Sequence, residues 1–344
     1  MKRLILLLML VCSACQWSGL SLTPSPTLAL PTAEVTASPT STISSPTPTL
    51  TPSATPAPYE SYTIDFLRGR TYGGGNIEIT EIMEVNDLFT RYLIRYPSDG
   101  LNIYGFATVP KGTGPFPMII GIHGFVDPDS YQTLDYTAEA LDIITQYGYI
   151  VIHPDLRGYP PSDKGDNLFR VGMAVDVLNL IALIKSKAGP PELFATAAPD
   201  IIGLWGHSLG GNIALRVLTV SSDVKATVLY ASMTGDELRN AVLLFNNTSD
   251  PMFQTELSTS STTFELISPL NYYSSITSPI QLHHGTADQT VPFAWAVETC
   301  SALTAAGIQI ECIYYPEEDH TFRRRVADQF WGALMNFYKI HLSP

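Results

Sequence analysis

The stretch Asp200-Ile201-Ile202-Gly203-Leu204-Trp205-Gly206-His207-Ser208-Leu209-Gly210-Gly211-Asn212-Ile213-Ala214-Leu215-Arg216-Val217 leaves a chain few ways to fold. An apolar run the length of a buried strand meets Gly-x-Ser-x-Gly, and a helix-forming run follows with no loop between. A turn this tight strains the backbone at Ser208. It also needs small residues at 206 and 210, where strand and helix approach too closely for a β-carbon. The serine hydroxyl is then held at the head of a helix, where free N–H groups and the helix dipole favour an oxyanion. A glycine-rich turn capped by serine would satisfy the same five residues, so the rest of the chain has to decide.

Segments near Ile77–Glu84, Phe89–Tyr96 and Tyr104–Val109, parted by turn residues such as Pro97-Ser98-Asp99-Gly100, read as antiparallel strands. The pattern then becomes strand followed by helix. Met118–Ile122, Tyr149–His153, Ile201–Trp205, Val224–Ala231, Pro279–His283 and Gln309–Tyr315 read as strands. Leu134–Tyr147, Val171–Lys187, Phe293–Ala306 and Phe322–His341 read as helices. Such alternation, with strands apolar on both sides, specifies a mostly parallel sheet covered by helices on both faces.

Sites in such sheets lie beyond the carboxyl ends of the strands, and the chemistry-bearing residues fall there. After Ile122 comes His123-Gly124-Phe125-Val126-Asp127. The N–H of Phe125 could face that of Leu209 across a substrate carbonyl, although the same residues would also suit a plain loop. Asp288 follows the strand ending at His283, and His320 lies in the last loop before the final helix. Ser208, Asp288 and His320 stand in the chain order of nucleophile, acid and base. Glu317, Glu318 and Asp319 could substitute for Asp288 but sit in the loop of the base itself. His123, His153, His207, His283 and His284 lie on or beside strands and read as packed or hydrogen-bonded. No His/Cys/Asp cluster has metal-ligand spacing, so neither metal nor cofactor is expected.

The set Gly-His-Ser-Leu-Gly-Gly, Pro154-Asp155-Leu156-Arg157-Gly158-Tyr159, Ser268-Pro269-Leu270-Asn271-Tyr272 and His284-Gly285-Thr286-Ala287-Asp288 resembles the catalytic domain of the prolyl oligopeptidase (S9) family within the α/β-hydrolase superfamily. The resemblance covers about residues 60–342. It implies a mostly parallel, eight-stranded-type sheet and a serine hydrolase acting through an acyl-enzyme with Ser208, Asp288 and His320. Many relatives carry a β-propeller before this domain, and the residues available here cannot build one. Peptidase and carboxylesterase therefore both stay open. A non-catalytic binding lipoprotein on the same fold is the reading of another class. Residues 235–275 form a long excursion bearing Leu243, Leu244, Phe245, Met252, Phe253 and Phe264, either a cap over the site or a segment packed on the sheet edge.

Ahead of this domain, expected over residues 59–344, Met1-Lys2-Arg3 and the apolar run Leu4 to Val11 read as a signal peptide of residues 1–14, too short to span a bilayer. Cys12-Ser13-Ala14-Cys15 resembles a bacterial lipobox, with Cys12 standing where leucine is usual. That resemblance implies lipidation at Cys15 and an extracytoplasmic, membrane-tethered protein; plain secretion is the alternative. Residues 21–58 hold nine Pro and seventeen Ser or Thr with Glu34 the only charge, a composition that cannot repay ordering. Residues 16–58 would reach roughly 35 Å as coil and over about 100 Å as polyproline II, holding the body off the bilayer. The net charge of −13 and the lack of any Lys/Arg stripe argue against nucleic acid as a partner, and the resemblance implies small ester or peptide substrates. Arg323-Arg324-Arg325 reads as a solvated face. Cys300 and Cys312, on a helix and the next strand, are either a disulfide or two small core residues.

Overall fold

The computed structural model describes residues 59–135, 137–247 and 250–343. The expected signal peptide, the expected lipidation site Cys15 and the expected linker up to residue 58 lie outside them. The strands are β1 (Glu78–Val85), β2 (Phe89–Ser98), β3 (Leu101–Pro110), β4 (Phe116–Ile122), β5 (Ile150–Pro154), β6 (Ala197–His207), β7 (Val224–Tyr230), β8 (Ile280–Gly285) and β9 (Ile310–Tyr315). The helices are α1 (Ile64–Gly69), α2 (Ala138–Gln146), α3 (Val171–Lys185), α4 (Pro191–Phe194), α5 (Leu209–Val220), α6 (Glu237–Asn247), α7 (Pro251–Leu257), α8 (Ser261–Ile267), α9 (Phe293–Ala305) and α10 (Ala327–His341).

The strands form one sheet in the order β1-β2-β3-β5-β4-β6-β7-β8-β9. From β5 to β9 every pair is parallel, while β1, β2 and β3 join antiparallel. This is the α/β-hydrolase architecture, with one strand beyond the eight-stranded type. The extra strand is β1, an edge strand with two register shifts against β2. Glu78, Glu81 and Glu84 on it keep the open edge from pairing further.

Period-two alternation divides the sheet's side chains between two cores. Met118, Ile120 and Ile122 of β4 pack with Ile181 of α3, Ile213 of α5 and Leu303 of α9. Ile119, on the opposite face of β4, packs with Leu141 and Ile144 of α2 and Leu334 and Tyr338 of α10. All of these are at most 1% exposed, so each contributes about 1.5–3 kcal/mol. Covered on both faces, the sheet offers its chemistry only at the rim where β4, β6, β8 and β9 end.

Two helices start later than their apolar patterns suggest. α2 begins at Ala138 instead of Leu134 because Thr133 is drawn back to Asp155 by a 2.8 Å hydrogen bond. α10 begins at Ala327 instead of Phe322 because Arg323 is bound, through its backbone N–H, to the Glu318 carboxylate. The excursion 235–275 is helical, comprising α6, α7, α8 and a 3-10 segment Pro269–Ser275. A buried ionic network ties it to the body. Arg170 binds Glu256 of α7 at 2.7 Å and Glu237 of α6 at 2.9 Å, and Arg216 of α5 also binds Glu237. With two guanidiniums facing two carboxylates, no charge is left buried alone.

Candidate active site

Ser208 has φ 56° and ψ −118°, a conformation that costs on the order of 1–3 kcal/mol for a residue with a side chain. Three backbone hydrogen bonds hold it there. Its N–H donates to the Tyr230 carbonyl at 2.9 Å, and its carbonyl accepts from Gly211 and Met233 at 3.0 Å each. The glycines have a steric reason. A β-carbon on Gly206 would stand 2.5 Å from the Gly210 carbonyl oxygen, and one on Gly210 would stand 2.1 Å from that of Ile122. Strand β6, the turn, α5 and the end of β4 are thus locked at one spacing.

Asp288 lies in the turn after β8. Its Oδ1 accepts from the N–H groups of Thr290 and Val291, each at 2.8 Å, and its Oδ2 lies 2.8 Å from His320 Nδ1 and 3.1 Å from His284 Nε2. Burial alone would raise its pKa, but hydrogen bonds from the two histidines and Val291 outweigh that and hold the carboxyl well below the usual range. The base loop is laced to the acid loop. Asp319 Oδ1 accepts from the backbone N–H of His320 at 2.8 Å and of Gln289 at 3.1 Å.

The ring of His320 lies 4.8 Å from that of His207, the residue before Ser208, and His207 Nε2 is 3.3 Å from the His320 carbonyl. Burial pushes the His207 pKa down to about 3, so no positive charge competes there. Of the alternatives in the same loop, Glu318 is occupied by Arg323 and Arg325, Asp319 by backbone N–H groups, and Glu317 faces solvent beside Arg325. Only Asp288 among these carboxylates bonds the His320 ring. With Nδ1 directed to Asp288, Nε2 is the nitrogen left for proton transfer. The arginine cluster is therefore not merely a solvated face, since two of its three members clamp the loop bearing His320.

Phe125 and Leu209 line one cavity of about 640 Å³. Its apolar wall comes from these two together with Met173, Leu244, Met252 and Phe253. Arg157 and Arg170 also reach it, but Arg157 is bound to Asp176 at 2.8 Å and Arg170 to Glu237 and Glu256. The loop carrying Phe125 rests on a polar cluster that the residue pattern did not assign to the site. Asp155, fully buried, accepts from Tyr131 at 2.7 Å and Thr133 at 2.8 Å, and the His123 ring packs on Tyr131 and Tyr159. Burial pushes the Asp155 carboxyl up to about 7, hydrogen bonds from Tyr131 and Thr133 notwithstanding. The available signal was the Pro154–Tyr159 segment at the end of β5.

Cys300 of α9 and Cys312 of β9 are joined by a disulfide, their Cα atoms 6.4 Å apart. Among the described residues no group of three or more His, Cys, Asp or Glu is arranged to hold a metal ion.

Comparison with known proteins agrees with the architecture. The prolyl oligopeptidase family profile matches residues 192–343, which hold the serine turn, Asp288 and His320, and the chlorophyllase profile matches residues 79–235. Lysophosphatidylserine lipase ABHD12 of Danio rerio is 27% identical over 139 residues, 36% of this chain and 33% of the relative, so the match spans about a third of that protein. Acetyl xylan esterase 1 of Thermoanaerobacterium superposes with a TM-score of 0.57 at 17% identity, covering 81% of this chain and 94% of the esterase. The acylaminoacyl peptidase of Pyrococcus horikoshii superposes with a TM-score of 0.60 at 20% identity, covering 74% of this chain and 42% of the peptidase.

The chain has the α/β-hydrolase fold, and its residues 192–343 are similar to the prolyl oligopeptidase (S9) family.

Proposed function

We propose that this protein cleaves a carboxylic ester or peptide bond through an acyl-enzyme, with Ser208 as nucleophile, His320 as general base and Asp288 as the carboxylate that orients it. The observation that carries the reading is the 2.8 Å hydrogen bond from His320 Nδ1 to Asp288, beside the strained serine turn. His320 Nε2 takes the Ser208 proton as Oγ attacks the carbonyl carbon, and the N–H groups of Leu209 and Phe125 receive the developing oxyanion. The imidazolium returns its proton to the leaving group. Water then repeats the sequence, releasing the acid and restoring Ser208.

One observation favours an ester over a peptide. The cavity beside Leu209 has a wall of Phe125, Met173, Leu244, Met252 and Phe253, which suits an apolar acyl group, with Asp127, Asp129, Lys164 and Asp250 also lining it. In this reading α6 and α7 act as the cap that shapes the acyl pocket. Export and lipidation at Cys15 belong to the same proposal; export rests on Met1-Lys2-Arg3 and the apolar run Leu4 to Val11, and lipidation on the lipobox-like Cys12–Cys15. A Cys15→Ala protein found in the membrane fraction as fully as the wild type would remove the anchor.

The deciding experiment is a panel of p-nitrophenyl acyl esters set beside aminoacyl and prolyl anilides. Ester turnover exceeding anilide turnover by at least about tenfold is expected. The reverse order would make the protein a peptidase, and turnover of neither, with no labelling of Ser208 by a fluorophosphonate, would favour a non-catalytic binding lipoprotein.

A further inference from the structure

His284 is the penultimate residue of β8, four residues before Asp288, and the proposed mechanism leaves it unused. Its side chain is wholly buried. Nε2 lies 3.1 Å from Asp288 Oδ2 and 3.0 Å from the Val291 carbonyl oxygen. Both neighbours are acceptors, so Nε2 must carry a hydrogen. Nδ1 is buried without a hydrogen-bond partner, and a second hydrogen there would meet nothing. The ring is therefore held as the Nε2–H tautomer. In that orientation it cannot serve as the base for Ser208, because the nitrogen that faces the site is already spent on the carboxylate.

The same Asp288 Oδ2 is the acceptor 2.8 Å from His320 Nδ1. One carboxylate oxygen thus serves two imidazoles while the other takes two backbone N–H groups. We propose that His284 is a positioning residue that sets how much of the Asp288 charge reaches His320. The inference rests on reading Ser208, Asp288 and His320 as the triad. Each donor to a carboxylate draws charge toward itself. With the His284 donor gone, Asp288 would lean more strongly on His320 and hold the imidazolium to higher pH. The working base is the neutral ring, so the acid limb of the kcat/KM profile would move upward.

The other groups around Asp288 and His320 are held chiefly by causes other than His284. His207 of β6 is kept neutral by burial, and Tyr230 of β7 is kept protonated by burial. In the loop after β9, Glu318 is paired with Arg323 and Arg325, and Asp319 accepts from backbone N–H groups. On the α9 side, Phe293 packs with its ring centroid 6.2 Å from that of His284 and carries no charge.

The test is kcat/KM on a p-nitrophenyl ester between about pH 5 and 9 for the full chain, for His284→Leu and for His284→Gln, whose amide N–H can stand in for Nε2–H. The leucine variant is expected to shift the acid limb upward by roughly half to one pH unit, and the glutamine variant to restore it. A folded leucine variant with an unmoved limb, or a glutamine variant shifted as far as leucine, overturns the inference. If the leucine variant does not fold, nitrogen NMR of histidine-labelled wild type decides, with Nε2–H expected at His284 and Nδ1–H contradicting it. Fluorophosphonate labelling separates the two readings. Wild type without an adduct on Ser208 sinks the triad, whereas an adduct with an unmoved limb sinks only the role of His284.

Discussion

The carbonyl oxygen of Ile122 occupies the place a β-carbon on Gly210 would need, 2.1 Å from that position. Through this contact the end of β4 sets its distance from the first turn of α5, and with it the spacing of the loop bearing Phe125 from Leu209. Gly210→Ala would force the two apart. Activity is expected to fall at least about a hundredfold, the scale on which one misplaced oxyanion donor is felt. Stability is expected to fall by about 2 kcal/mol or more. Steady-state kinetics and urea unfolding on the purified variant check both.

The loop of His320 is held by a carboxylate that stays ionised far into acid. Burial alone would raise the pKa of Glu318, but the Arg323 N–H and the two guanidiniums hold it down to about 2. A carboxyl lowered in the folded state contributes stability above its unfolded value and loses it as pH falls through the folded one. Wild type should therefore lose stability between about pH 5 and pH 2, and Glu318→Gln should lose less over that span. Thermal melts at stepped pH read this, and equal slopes in the two proteins would count against the clamp.

Asp155 works in the opposite direction. Its carboxyl is raised by burial to about 7, so its contribution is complete below the unfolded value near 4 and is lost as pH rises through about 7. Asp155→Asn keeps an acceptor for Tyr131 and has nothing to ionise. Relative to wild type it should gain stability between about pH 4 and pH 7. Chemical denaturation at the two ends of that window gives the difference, and a gain in the other direction would contradict the burial account.

The Cys300–Cys312 disulfide closes a loop with a sequence separation of 12. Chain entropy puts its contribution at about 3 kcal/mol. Cys300→Ser with Cys312→Ser should lower stability by that order and leave kcat nearly unchanged, since the bridge joins α9 to β9 away from Ser208. A large fall in kcat with stability intact would mean that the bridge shapes the site.

Much of this was legible because buried parallel strands write themselves as apolar runs, and a residue just past such a run must fall at the rim. That logic reaches Ser208, Asp288 and His320 without coordinates. It fails where a polar contact between distant segments overrides local pattern. Leu134 opens an apparently helical run until the neighbouring Thr133 is drawn back to Asp155, and Arg323 looks solvated until Glu318 is seen folded beneath it. His284 could be recognised as buried, but that its Nε2 meets Asp288 depends on the turn after β8 curling back. The ion network of Arg170, Arg216, Glu237 and Glu256 joins residues up to 86 positions apart, beyond any periodicity.

The central claim is that Ser208 is the atom source of a covalent intermediate. Intact-mass and peptide mapping after treatment with a fluorophosphonate read it directly. One adduct per chain on the peptide containing Ser208, absent in Ser208→Ala and nearly absent in His320→Ala, is the result the account predicts. An adduct on another residue, or Ser208→Ala protein that still hydrolyses the ester at the wild-type rate, would contradict it.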